Sequence, residues 1–240
     1  MHRLEAKELS KYYGKRHVVR GLSLFLSTGE IVGLLGPNGA GKTTTFYMMV
    51  GLIRPDGGNI FLDNEDLTGL PMYRRSLMGI SYLPQEPSIF KKLTVEDNLR
   101  AVLEIRGLQK DEIGIEVARL LKEFNLVELA KKEGYRLSGG ERRKTEIARA
   151  IAIKPRFLLF DEPFAGIDPI AIIELKKMLT YLKERGLGIL ITDHNVRETL
   201  SITDRAYIIN NGTILEEGSP EKLIADPMVK EVFLGEEFVL

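Results

Sequence analysis

Nine consecutive residues, Gly36, Pro37, Asn38, Gly39, Ala40, Gly41, Lys42, Thr43 and Thr44, fit the pattern G-x-x-x-x-G-K-[ST]. In that pattern backbone N–H groups wrap a phosphate chain, the lysine reaches the β and γ oxygens, and the hydroxyl holds Mg²⁺. The loop therefore reads as a nucleotide site, but on its own it does not choose among GTPases, kinases and transport ATPases. Further on, Asp161 and Glu162 follow four apolar residues and precede Pro163. Both carboxylates then emerge at the carboxyl end of a buried strand, where open α/β sheets bind ligands. One can serve Mg²⁺ and the other a water molecule; two surface charges at a strand end are the plain alternative, and the phosphate loop favours function. His194, one of three histidines, lies just past the apolar run ending at Thr192, on the same ligand-facing edge.

Ser138, Gly139 and Gly140 precede Glu141, and Ser-x-x-Glu ahead of a helical segment is a capping box worth about 1 kcal/mol. A helix opened by Ser-Gly-Gly also exposes unpaired N–H groups and a positive dipole end, which suits a phosphate. Lys42 already has a phosphate site in its own loop. A second phosphate reader in the same chain implies sites completed by another copy, hence a functional dimer. Tyr12 and Tyr13 either pack beside a strand or stack, one of them, on an adenine ring. Gln85, after a proline in a loop, carries little signal by itself.

These residues need elements to position them. Residues 3 to 35 read as short strands, with Ile31 to Leu35 a buried run ending at the glycine loop. Lys42 to Gly51 lacks proline and keeps Phe46, Met49 and Val50 at helical spacing, which supplies the strand–loop–helix context of the phosphate motif. From about Val95 to Ile153 the pattern turns to period 3.6, a mainly helical lobe set into a strand-rich body. Strands return at Phe157–Phe160 and Gly188–Thr192, with a helix from about Pro169 to Arg185 between them. Ala206 to Leu215 reads as a hairpin turning at Asn211–Gly212, and Glu221 to Leu234 as a terminal helix. The expected fold is α/β: a mainly parallel core sheet, an N-terminal antiparallel β part and an inserted α-helical subdomain. It forms one domain, 1–240, with the core about 1–87 and 156–240 and the helical subdomain about 88–155.

With 240 residues, 44% of them hydrophobic, the chain can fill a substantial core. Lys+Arg and Asp+Glu number 34 each, so the global basic field of a nucleic-acid binder is missing and no nucleic-acid partner is expected. Cysteine is absent, which excludes disulfides and thiolate-bound metal. The charged start and the want of an apolar run of eighteen residues point to a cytoplasmic protein whose membrane role comes through partners.

Taken together, the motifs resemble the nucleotide-binding subunit of ATP-binding-cassette transporters over nearly the whole chain. In that family's pattern Gly36 to Thr44 match the Walker A loop, Gln85 the Q-loop, Leu137 to Glu141 the signature, Phe157 to Glu162 Walker B, Asp168 the D-loop and His194 the switch histidine. Tyr13 best fits the adenine-stacking position, with Tyr12 a nearby rival. Ile167 in the D-loop departs slightly from the pattern without touching the chemistry. No Asn-Lys-x-Asp guanine motif occurs, against a GTPase. Tyr82 to Phe90, Asp161 to Pro169, Ile191 to Leu200 and Phe233 to Phe238 look like the subfamily that drives lipopolysaccharide export. Branched-chain amino-acid importer ATPases are the nearest rivals, but they carry a different segment where this chain has Thr192-Asp-His-Asn.

The resemblance implies ATP and Mg²⁺ as cofactors, with Thr43, Gln85 and Asp161 on the metal, Glu162 as the base and His194 at the γ-phosphate. It also implies a homodimer sandwiching ATP, with integral membrane permease subunits docked beside Phe90 and the complex on the cytoplasmic face of the inner membrane. Phe90 as an ordinary buried lobe residue is the alternative. A nucleic-acid or ribosome-associated cassette and a nucleotide sensor without turnover are the remaining rivals. The balanced charge and the single cassette oppose the first, and the joint presence of Glu162 and His194 opposes the second.

Overall fold

The computed structural model describes residues 1–235 and 238. Strands β1 (Arg3–Tyr13) and β2 (Arg16–Ser27) form a long antiparallel pair. Strand β3 (Ile31–Leu35) runs through the glycine loop into helix α1 (Lys42–Val50). Next come β4 (Gly57–Leu62), β5 (Glu65–Asp66), α2 (Met72–Leu77) and β6 (Ile80–Leu83). The stretch that follows is helical: α3 (Val95–Ile105), α4 (Lys110–Glu123) and α5 (Gly139–Ala152). Then β7 (Phe157–Asp161), α6 (Pro169–Glu184), β8 (Gly188–Thr192) and α7 (Val196–Leu200) lead to the hairpin of β9 (Arg205–Asn210) and β10 (Thr213–Gly218). Helices α8 (Pro220–Ala225) and α9 (Pro227–Val229) close the succession.

Two sheets result. The first is antiparallel, in the order β2-β1-β4-β5; the second is ordered β10-β9-β3-β8-β7-β6 and is parallel except for the β9–β10 hairpin. Every residue of β3, β7 and β8 is buried, as five-residue apolar strands covered on both faces must be. Alternation along β7 assigns the faces: Phe157 and Leu159 join the antiparallel sheet and α1, whereas Leu158 and Phe160 join α3 to α6. The parallel sheet is thus the middle layer, and the carboxyl ends of β3, β7 and β8 share one edge.

Two sequence expectations are corrected. Residues 3 to 27 form two strands of 11 and 12 residues, not several short ones. Register shifts after Ala6 and after Leu9, with Glu8 at φ 51°, break the alternation that would have revealed their length. The terminal helix is also interrupted. Asp226 accepts the Val229 N–H at 2.8 Å and starts a fresh turn with Pro227 at its first position, and a wider helical turn follows over Lys230–Leu234. Of the Phe233–Phe238 segment, Glu236 and Glu237 lie outside the described residues.

The carboxyl end of α1 is held by a buried arginine. Arg75 Nη1 donates to the carbonyls of Met48 (2.7 Å) and Met49 (2.8 Å), and its Nε donates to Leu70 O at 2.9 Å. A cation at a helix C-terminus faces the negative end of the dipole. Burial still lowers the Arg75 guanidinium to about 10.

Candidate active site

The phosphate loop is seated on two neighbouring segments. Gly36 has φ 147°, and a β-carbon there would lie 2.1 Å from the Ile209 carbonyl oxygen of β9; at Gly41, φ 107°, it would lie 3.0 Å from Val18 O of β2. Glycine is required at both positions because the loop must approach other backbone this closely. The β9–β10 turn joins in: Gly212 N–H donates to Ala40 O at 2.9 Å, and Arg20 N–H to Gly212 O at 2.8 Å. Asn211 and Gly212, at φ 50° and 83°, form that turn as their sequence indicates. Lys42 is 6% exposed and donates from Nζ to Gly36 O (2.7 Å) and Pro37 O (3.0 Å). Burial holds its ammonium below the ordinary lysine range, while the Glu162 carboxylate pulls the other way. Thr43 is exposed on the first turn of α1, and Thr44 is half-buried beside it.

Asp161 ends β7 opposite Thr192, the last residue of β8. It is 5% exposed and accepts from Tyr82 Oη at 3.4 Å. Burial raises its carboxyl, the nearby Glu162 charge adds to this, and hydrogen bonds from Tyr47 and Tyr82 oppose it. Glu162 follows in the left-handed region, φ 46°, with its N–H on Thr192 O at 2.7 Å. That turn swings its side chain away from Asp161's course. Its Oε2 accepts from Gln85 Nε2 at 2.8 Å, and its Oε1 lies 2.6 Å from His194 Nε2. Gln85, Glu162 and His194 are therefore brought into one contact group, with Asp161 adjacent.

Asp193 locks this arrangement, a role that residue type and spacing do not signal. Its carboxylate is buried and accepts from Phe164 N–H (2.8 Å) and Asn195 N–H (2.7 Å), which ties the turn after Glu162 to the turn carrying His194. Burial raises this carboxyl as well. Tyr47 and Tyr82 were equally unsignalled. Only the register that sets β6 beside β7, with Tyr82 opposite Leu159, could have found the second.

Ser138 caps α5 as expected: its Oγ accepts from Glu141 N–H at 3.3 Å, and Glu141 Oε2 accepts from Ser138 N–H at 2.8 Å. Gly140 faces Ala171 of α6. Among the described residues, the two clefts bordering Gly139 and Gly140 are lined by the Gln85 and Glu162–Asp168 segments and by α6, with no residue of the phosphate loop. Asp168 accepts from Ala171 N–H at 3.0 Å and so caps α6, with Pro169 at the first helical position.

The Gln85–Phe90 segment is pinned to α5. Arg143 Nη1 donates to Pro84 O (3.3 Å) and Glu146 Oε2 (3.2 Å), Glu146 accepts from Ser88 N–H (2.7 Å), and Arg149 Nη2 donates to Ser88 Oγ (2.7 Å). Asn98 brackets the backbone of Phe90 from both sides, at 2.9 and 3.1 Å. The Phe90 ring stays 48% exposed beneath the Arg149 guanidinium, so it is not a buried lobe residue. Of the tyrosine pair, Tyr12 stacks flat on His17 at 4.0 Å, whereas Tyr13 leaves an exposed ring.

The donor set suits a hard divalent cation. Thr43, Gln85 and Asp161 offer oxygen ligands, and no Lys or Arg among the described residues forms an ion pair with the buried Asp161 carboxylate. No group of three His, Cys, Asp or Glu residues is gathered among the described residues.

Known proteins resemble the chain in sequence and fold. The profile of the family described as ABC transporter matches residues 19–165, more than half of the chain. The lipopolysaccharide export system ATP-binding protein LptB of Acidithiobacillus ferridurans is 56% identical over 98% of both chains. The protein of the same description from Escherichia coli K12 is 53% identical over 99% of both. Among solved structures, MJ1267, an ATP-binding cassette of an ABC transporter in its ADP conformation, superposes with TM-score 0.86 at 28% identity, covering 98% of this chain and all of that one.

Proposed function

Because the chain belongs to the ABC transporter family as an ATP-hydrolysing subunit, we propose that it powers the extraction of lipopolysaccharide from the inner membrane for export. The observation that carries this reading is the end-to-end identity of 53–56% with ATP-binding proteins of that system. The contact group of Gln85, Glu162 and His194 beside Asp161 supports it.

In this reading ATP is the substrate. Its base stacks on Tyr13, and its phosphates lie along the N–H groups of Gly36 to Thr44 with Lys42 at the β and γ oxygens. Thr43, Gln85 and Asp161 would hold Mg²⁺, which would supply charge neutralisation for phosphoryl transfer. Glu162 releases its contacts with Gln85 and His194, takes a proton from water and directs the oxygen at the γ phosphorus. A P–O bond forms from that water as the bond to the bridging oxygen of ADP breaks, and His194 steadies the charge on the departing phosphoryl group.

Ser138, Gly139 and Gly140 of a second copy close the site; within one copy the clefts beside Gly139 and Gly140 are lined by no residue of the phosphate loop. Asp168 lies at the rim of the same cleft, on the side where the copies meet. The ATP-dependent approach and release of two copies is the motion passed on to membrane subunits. It travels from Glu162 through Gln85 and along the segment pinned to α5, ending at the exposed ring of Phe90. The core about 1–87 and 156–240 carries the chemistry, and the helical part about 88–155 carries the signature and the docking surface. Among the described residues no helix is long and apolar enough to cross a membrane, so attachment to the cytoplasmic face comes through those partners.

The test is affinity purification of the chain from detergent-solubilised membranes of its source organism, with integral partners identified by mass spectrometry. Permease subunits of lipopolysaccharide export are expected. Amino-acid permeases, or no membrane protein, would overturn the cargo while leaving the ATPase.

A further inference from the structure

The tip of the β1–β2 hairpin carries a cation that the site described so far does not use. Arg16 stands directly opposite Tyr13 across the hairpin, so both side chains leave the same face, while the neighbouring pair Tyr12–His17 leaves the other. On that shared face Arg16 Nη2 lies 3.7 Å from the point where a β-carbon of Gly39 would sit, at the outer rim of the phosphate loop. Two of the basic residues around it are engaged, Lys11 with Asp56 and Arg20 Nε with His17 O, while Lys15 stands exposed in the turn itself. Arg16 has no ion pair and no hydrogen bond among the described residues, and its side chain is exposed.

The hairpin is packed against the loop. Val18, two residues beyond Arg16, is the carbonyl against which Gly41 and Gly212 are packed, and Gly212 in turn holds Ala40. The position of Arg16 over Gly39 is set by the same contacts that shape the loop.

We propose that Arg16 is a second phosphate-binding cation of the nucleotide site, gripping the α- and β-phosphoryl oxygens between the Tyr13 ring and the loop. This rests on the reading of Gly36–Thr44 as an ATP site. The two cations divide the substrate between them. Lys42 works from within, buried and packed under the loop, whereas the exposed guanidinium closes over the chain from outside, and its fork matches two phosphoryl oxygens at once. A grip on the α and β groups is the same for ATP and ADP, so Arg16 contributes to binding and not to the chemical step.

Titrating fluorescent ATP and ADP analogues into wild type, Arg16→Ala, Arg16→Lys and Lys42→Ala, alongside steady-state phosphate release, tests this. Arg16→Ala should weaken ATP and ADP by the same factor, roughly tenfold, and raise KM with kcat within about twofold. Arg16→Lys should regain part of the affinity, and the preference for ATP over GTP should not move. Unchanged affinity in Arg16→Ala, with Lys42→Ala losing nucleotide, would sink the role of Arg16 alone. Weakening confined to ATP would move the contact to the γ-phosphate, and an altered ATP/GTP ratio would make it a base reader; either result overturns the assignment. Wild type that binds neither nucleotide would remove the site reading itself.

Discussion

Asp161 shows what the chemistry costs the fold. A carboxyl whose folded value lies above its ordinary 3.8 binds its proton more tightly in the native chain than in the unfolded one. As pH rises, the unfolded chain ionises first, so stability falls between 3.8 and the higher folded value, and the whole deficit persists at neutral pH. Asp161→Asn removes the buried charge and keeps an oxygen for Tyr82. It should melt higher than wild type at pH 7, by about 2–4 °C for each kcal/mol recovered, and should lose phosphate release. Below about pH 4 the two melting curves should converge. A lower melting temperature at pH 7 would show that Asp161 is not held against its burial. Asp161, Glu162 and His194 could be named from residue type and the ends of apolar runs. Asp193 could not, because its role depends on Phe164 and Asn195 converging from two separate turns.

At the scale of elements, Arg75 couples the phosphate-loop helix to the segment leading into β6. Its guanidinium caps the carbonyls of Met48, which also accepts from Gly51 N–H at 3.2 Å, and Met49 at the end of the helix. Arg75→Ala should destabilise the protein by about 2–4 kcal/mol in urea unfolding, since buried carbonyls lose charged donors. Arg75→Lys should rescue little, because one ammonium cannot serve three carbonyls placed for a planar fork. Full rescue by lysine would reduce the clamp to its charge. The sequence does not separate Arg75 from Arg74, adjacent in the same short helix, and only packing makes one buried and the other exposed. Strand–loop–helix order and the caps at Ser138 and Asp168 were legible because short-range chemistry sets them. The length of β1 and β2 was not, because their bulges are settled by pairing with partners far along the chain.

At the scale of the molecule, the proposal that Ser138–Gly140 of a second copy closes the phosphate loop makes two copies the unit to be tested. Glu162→Gln should retain ATP, lose turnover by about 10²- to 10⁴-fold and double in mass by light scattering when ATP is added. Adding Gly140→Asp should abolish the doubling without loss of ATP binding, because the new carboxylate repels the partner's phosphates. A doubly substituted chain that still dimerised would place the contact elsewhere.

The order of the parallel sheet has a consequence for how the protein comes to exist on the ribosome. Strand β3, which delivers the phosphate loop, has β8 and β9 as its two neighbours, and the loop's own seat is Ile209 and Gly212. Leu35 leaves the synthesis site about 150 residues before Gly188, roughly ten to thirty seconds at usual elongation rates. Throughout that interval β3 has neither of its sheet neighbours, and Gly36 lacks the Ile209 carbonyl against which it packs, although Val18 beside Gly41 is already made. Nucleotide therefore cannot template the nascent cassette. The growing chain has to be kept from aggregation by its β1–β2 hairpin or by chaperones until its last third emerges, and a ribosome stalled before β8 would hold a protein with its whole phosphate-binding sequence and no binding site.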